Sequence, residues 1–145
     1  MRVYAKLKRK IMIERKKYLE KLICRKENGM VKVITGIRRC GKSYLLFNIY
    51  GTYLKSIGVE NDRIIALALD DDENIRYRNP IELGKYLRER TSDSEKKYYV
   101  FLDEIQKVVT VQNPYITNAD DKISFVDVVL GLIKKENIDV YVTGS

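Results

Sequence analysis

Eight residues carry the first recognisable chemistry in this chain: Gly36-Ile37-Arg38-Arg39-Cys40-Gly41-Lys42-Ser43. Two glycines separated by four residues, then lysine and a hydroxyl residue, form the pattern of a phosphate-binding loop. Glycines let the backbone curl until successive N–H groups converge on one concavity, a nest for phosphate oxygens. A helix opening near Lys42 adds its positive end to that nest. In such a loop the lysine reaches the β- and γ-phosphates, and the hydroxyl ligates magnesium. The expected nucleotide-binding stretch is therefore Gly36, Ile37, Arg38, Arg39, Cys40, Gly41, Lys42, Ser43 and Tyr44, with Lys42 also catalytic and Ser43 a metal ligand. At average glycine usage, chance produces this octet roughly once per tens of thousands of positions.

The second group is Tyr98-Tyr-Val-Phe-Leu102-Asp103-Glu104. An apolar strand ending in Asp sets that carboxylate at the C-terminal edge of a sheet, where open α/β sheets bind ligands. Asp103 there holds magnesium through water, as the aspartate of a Walker B strand does. Glu104 beside it polarises a water for attack on the γ-phosphate. An Asp-Glu pair after a strand is weak evidence alone, because many such pairs are solvated turns; joined to the octet it becomes specific. No Asn-Lys-x-Asp guanine-reading motif is present. The pattern points to ATP rather than GTP, and to the branch of P-loop proteins with a strand inserted between the two motifs.

The elements that position these residues alternate between strand and helix. Tyr4, Leu7, Ile11, Tyr18 and Leu22 recur at helical spacing, with Met12, Leu19 and Ile23 widening the stripe, which predicts a helix over 2–26. Glu27-Asn28-Gly29 then reads as its stop. Val31–Thr35 predicts a strand, 42–56 a helix ended by Gly58, and 63–69 a strand buried on both faces. Asn79-Pro80 opens a helix to about Arg90, since Pro fits a first turn. A strand over 98–102, a polar loop over 109–121, a helix capped by Asp121 or Ser124 and a strand over 140–143 complete the reading. Strand-helix alternation predicts a parallel sheet with right-handed crossovers.

Composition bounds the rest. A chain of 145 residues suits one domain with its own core. Histidine is absent, which excludes Ser-His and Cys-His nucleophiles and His-based zinc sites. Cys24 and Cys40 have neither disulfide-framework nor metal spacing, and no apolar run suits a membrane span or a signal peptide, so a soluble cytoplasmic protein is expected. The net charge of +8 lies wholly in residues 1–27, which hold 11 Lys/Arg against Glu14, Glu20 and Glu27; the remainder is neutral. The charge of the body is therefore no argument for nucleic acid.

The run from Tyr18 to Ser145 resembles the AAA-like prokaryotic ATPases that carry a C-terminal domain of unknown function after their P-loop domain. The matching segments are Tyr18–Leu22, Val33–Ser43, Phe101-Leu-Asp-Glu-Ile-Gln106 and Tyr141-Val-Thr-Gly-Ser145. The resemblance implies ATP binding and magnesium-dependent hydrolysis, with Lys42, Ser43, Asp103 and Glu104 in the roles given above. It also implies an α/β P-loop core with the sheet order β5-β1-β4-β3-β2, of which this chain shows 1-4-3-2 and stops after the fourth strand. A piece of a longer protein is thus expected, comprising a basic N-terminal helix (1–29) and an incomplete core (30–145), its partners a further C-terminal domain, an oligomer or a client protein.

Several residues have two readings. Arg38 and Arg39 reach phosphate, a partner or solvent; Cys40 is redox-sensitive or merely small. Gln106 orients water, touches a neighbouring subunit or is a plain surface residue. Asp70-Asp71-Asp72 favours a solvated turn over a metal cluster, and Thr143 and Ser145 both stand where a sensor residue belongs. Tyr4 and Tyr18 are expected in the core rather than against adenine. The basic helix face is expected to be solvated rather than bound to nucleic acid. Two function classes stay beside the ATPase: an ATP-gated protein-binding module with negligible hydrolysis, and a nucleic-acid-associated ATPase using residues 2–26.

Overall fold

A computed structural model describes residues 15–35 and 41–144. Helix α1 covers residues 15–24, and strand β1 is Lys32–Ile34. Helix α2 joins the turns Lys42–Tyr44, a π-helical segment Leu45–Tyr50 and Gly51–Ser56. There follow β2 (Ile64–Ala68), α3 (Pro80–Arg90), β3 (Tyr98–Asp103), the short β4 (Val111–Gln112) and β5 (Lys122–Ile123), α4 (Phe125–Ile133) and β6 (Ile138–Thr143).

Local chemistry accounts for the boundaries. Asn79 accepts from the Ile81 N–H at 2.9 Å and Pro80 begins α3, so the cap and the preset φ start the helix together. Before α4 the Asp127 carboxylate takes the Ser124 N–H at 2.8 Å, so Ser124 rather than Asp121 is the capping residue. After α1 the chain reverses through Glu27 (φ 58°) and Gly29 (φ 77°), and Gly58 (φ 94°) follows α2.

Four strands form one parallel sheet in the order β1-β6-β3-β2. This is the expected 1-4-3-2 order, with two short strands added to the numbering. Their presence corrects the reading of 109–121 as a plain loop. Val111–Gln112 pairs antiparallel with Lys122–Ile123, and the Asn113 N–H reaches the Asp121 carbonyl at 2.9 Å. The polar run hid this because two-residue strands carry no detectable alternation.

Both faces of β3 and β6 are covered. Val100, Leu102, Val140 and Val142 meet Leu83 and Leu87 of α3 and Val128 and Leu132 of α4. Tyr99, Phe101 and Tyr141 face the opposite way, onto Leu45, Leu46, Tyr50 and Leu54 of α2 and Leu22 of α1. The period-two alternation of aliphatic and aromatic residues thus assigns each helix layer its own wall. Tyr18 departs from expectation: it is 49% exposed, with the Lys21 ammonium 5.5 Å from its ring centre. The buried stripe of α1 runs through Leu22, flanked by Leu19 and Ile23. The expected helix over 2–14 lies outside the described residues.

At the N-terminal end of the sheet a polar network ties these layers together. The buried Lys32 ammonium pairs with Asp139, whose Oδ2 accepts the Glu27 N–H at 2.8 Å and the Tyr141 hydroxyl at 2.6 Å. The Tyr50 and Tyr141 hydroxyls bond each other, and Tyr99 donates to Glu27 at 2.8 Å. Burial pushes all three tyrosines well above their ordinary range, and hydrogen bonds to Asp139 and Glu27 push Tyr141 and Tyr99 further. Burial alone would raise Glu27, but the Tyr99 hydroxyl and the Lys26 ammonium outweigh it and hold the carboxyl below its usual value.

Candidate functional site

The opposite, C-terminal edge of the sheet gathers the chemistry. β1 leads toward α2, and β3 and β6 end side by side at Asp103 and Thr143. Gly41 precedes α2 at φ 84°, a left-handed conformation that favours glycine.

Two side chains converge on Asp103, which is only 4% exposed. Ser43 Oγ donates to Asp103 Oδ2 at 2.7 Å. Thr143 Oγ1 donates to Asp103 Oδ1, and the Glu104 N–H in turn donates to Thr143 Oγ1 at 3.0 Å. Both carboxylate oxygens are thereby engaged, and the next residue is held through the same threonine. Thr143 is fully buried, so these bonds are shielded from competing water.

Glu104 itself sits at φ 58°, ψ 54°, in the left-handed region that a side chain disfavours by about 1 kcal/mol or more. The Glu104–Thr143 bond holds that turn in place, and the Gln106 amide donates to Glu104 Oε2. Gln106 is exposed, and its contact with Glu104 is not among the readings that the sequence offers for it. Its Oε1 would lie 3.6 Å from a Cβ at Gly144. Lys42 is 6% exposed, and its ammonium donates to the Gly144 carbonyl at 2.6 Å. Gly144, just after β6, therefore bonds Lys42 and lies beside Gln106.

Ser43, Asp103, Glu104, Lys42 and Thr143 are thus brought together. Gly36, Ile37, Arg38, Arg39, Cys40 and Ser145 lie outside the described residues. Tyr44 is 49% exposed at the start of α2. The Asp70–Asp72 turn follows β2, at the other end of the sheet from β1. All three aspartates are exposed, and the Asp71 carboxylate accepts the Glu73 N–H at 3.0 Å, a local turn contact. Among the described residues no three His, Cys, Asp or Glu side chains form a metal-ligand group. What the edge does offer is the Ser43 hydroxyl in contact with the Asp103 carboxylate. That donor set suits a hard cation that keeps several waters and takes others of its ligands from a phosphate.

The sequence reading gave Arg15 no role. Its guanidinium carbon stands 5.0 Å from the centre of the Tyr44 ring, beside Gly41. In sequence it is one of 11 basic residues in the first 27, and nothing in the spacing separates it from them.

Residues 28–145 match a family model described as an AAA domain. An uncharacterized protein of Haemophilus influenzae is 35% identical over 136 residues, covering 94% of this chain and 30% of its own length. The uncharacterized protein MJ1544 of Methanocaldococcus jannaschii is 38% identical over 82 residues, 54% of this chain and 16% of its own length. The chain therefore spans less than a third of either relative. Among solved structures, a chain in the structure of Drosophila ORC bound to DNA superposes with a TM-score of 0.54 at 13% identity. The match covers 94% of this chain and 79% of that one, a likeness of fold. No helix among the described residues is long and apolar enough to cross a membrane.

Proposed function

This chain belongs to the AAA domain family, and we propose that it binds ATP with magnesium at Gly36–Tyr44 and hydrolyses it at Glu104. The observation that carries the reading is the Ser43–Asp103 hydrogen bond, which joins the first turn of α2 to the end of β3. These two oxygen donors would hold magnesium, Ser43 directly and Asp103 through water. The cation's contribution is to offset charge on the β- and γ-phosphates.

Lys42 supplies the second cation. Its ammonium, bonded to the Gly144 carbonyl at 2.6 Å, exchanges that oxygen for β- and γ-phosphate oxygens when nucleotide enters. Glu104 takes a proton from water as the water oxygen attacks the γ-phosphorus in line. The bond from that phosphorus to the β–γ bridging oxygen breaks, and ADP and phosphate leave. The backbone turn at Glu104, pinned to Thr143, preorganises the base before substrate arrives.

The test is magnesium-dependent ATP binding by calorimetry, with turnover followed on the same sample. Lys42→Ala should abolish binding. Glu104→Gln should keep ATP bound while turnover falls about 10²- to 10⁴-fold, the usual contribution of a general base. Unchanged affinity in Lys42→Ala would sink the site assignment. A Glu104→Gln variant indistinguishable from wild type, with negligible turnover in both, would favour the ATP-gated binding module.

The nucleic-acid reading rests on α1, where Lys16, Lys17, Lys21 and Arg25 are exposed while Leu22 is buried. The chain of similar fold comes from a structure of ORC bound to DNA, but its 13% identity carries the fold alone. DNA affinity that falls steeply with salt, and vanishes without the basic N-terminal segment, would support that reading.

A further inference from the structure

Arg15 lies in the described part of α1, yet its side chain crosses to the start of α2. A Cβ at Gly41 would sit 3.4 Å from Arg15 Nη2 and 3.9 Å from Nε. The guanidinium therefore rests against the residue that precedes Lys42, in space left by the missing side chain of a glycine at φ 84°. It also lies over the Tyr44 ring, 5.0 Å from the ring centre. Stacking on Tyr44 leaves the in-plane N–H groups available for hydrogen bonds.

The Nε atom of Arg15 is shut off from solvent and has no hydrogen-bond acceptor among the described residues. A buried donor without an acceptor costs about 1–3 kcal/mol, more when it is charged. Native proteins retain few such groups, and a catalytic role or an absent ion is among the explanations for one. The acceptor that suits a guanidinium is planar and anionic, a carboxylate or a phosphate. No carboxylate is paired with Arg15 among the described residues, whereas Gly41, against which it lies, belongs to the phosphate-binding octet.

We propose that Arg15 is a nucleotide-binding residue that reaches from α1 to a phosphate oxygen of ATP held at Gly41–Ser43. The proposal rests on the ATP reading above and extends it, because it makes the N-terminal helix part of the site. Nucleotide then bridges α1 and α2, and the described end of the basic segment responds to occupancy.

The test compares ATP with inorganic tripolyphosphate by calorimetry, using wild type, Arg15→Gln, Arg15→Lys and Lys42→Ala. Arg15→Gln is expected to weaken both ligands alike, by about 10- to 100-fold, the size of a hydrogen bond to a charged group. Arg15→Lys keeps the charge but loses the fork, and recovers only part of that affinity. Wild-type affinity for both ligands in Arg15→Gln would overturn the proposal. So would a loss confined to ATP with tripolyphosphate unchanged, which would move the contact to the base or ribose. Should Arg15→Gln fail to fold, Arg15→Lys decides alone, and unchanged affinity there overturns the proposal. Lys42→Ala separates the two readings: if it binds ATP like wild type, the phosphate site itself is wrong, whatever Arg15 does.

Discussion

Ser43 and Asp103 stand 60 positions apart in the chain and 2.7 Å apart in space, hydroxyl to carboxylate. The bond locks the first turn of α2 to the tip of β3, so any cation between them meets a preformed pair. Ser43→Ala removes the hydroxyl ligand and leaves Lys42 and the backbone nest in place. ATP affinity measured with excess chelator should then match wild type, while the gain on adding magnesium disappears. A variant that keeps its magnesium response would show that Ser43 is no ligand.

Thr143 carries two bonds at once, donating to Asp103 and accepting from the Glu104 N–H. Thr143→Val keeps the shape but orphans both partners in a fully buried position. The expected loss is about 1–3 kcal/mol of stability, read from urea midpoints. Turnover should drop with it, because the left-handed turn at Glu104 loses its tie. Thr143→Ser retains the hydroxyl and should recover both quantities; a Ser variant as impaired as Val would show that the hydroxyl alone does not hold the turn.

The Lys32–Asp139 pair is about 5% exposed on each side chain, far from the candidate site. Lys32→Met leaves the Asp139 carboxylate buried beside only its hydrogen-bond donors, at an expected cost of about 3–5 kcal/mol. Adding Asp139→Asn to Lys32→Met removes the stranded charge, so the double variant should be more stable than the single one. The reverse order of melting temperatures would refute this account of the network.

Tyr50, Tyr99 and Tyr141 are raised above the ordinary tyrosine value of about 10. A group raised in the folded state contributes stability that is complete below its unfolded pKa and is lost as pH climbs toward the folded one. Stability should therefore decline from about pH 10 upward. Glu27 runs the other way: its folded value is lowered, so its contribution holds at neutral pH and fades as pH falls through the folded pKa. Urea midpoints against pH check both limbs. Tyr141→Phe should flatten the alkaline one, and an unchanged slope would exonerate the tyrosine cluster.

Local chemistry was enough to read most of the elements and to nominate the core of the candidate site. Asn79-Pro80 and Ser124 with Asp127 cap helices through contacts two or three residues away, so the sequence holds the whole interaction. The apolar run 98–102 announces a doubly buried strand because both its faces need covering, and Asp103 marks its end. Lys42, Ser43, Asp103 and Glu104 were recognisable because phosphate and metal chemistry restrict residue type and spacing. What tertiary structure alone decided are the contacts between elements distant in the chain. Tyr18 fits the helical stripe in sequence, yet the docking angle of α1 leaves it exposed and buries Leu22. Two-residue strands at 111 and 122 exist only because their partners meet. Arg15 reaches Gly41 through the packing of α1 beside α2. The sequence by itself determined which groups can do phosphate chemistry, since that depends on residue type and short spacing. Which of its many basic and polar residues join them was decided by packing, because proximity across 26 or more residues is a property of the fold.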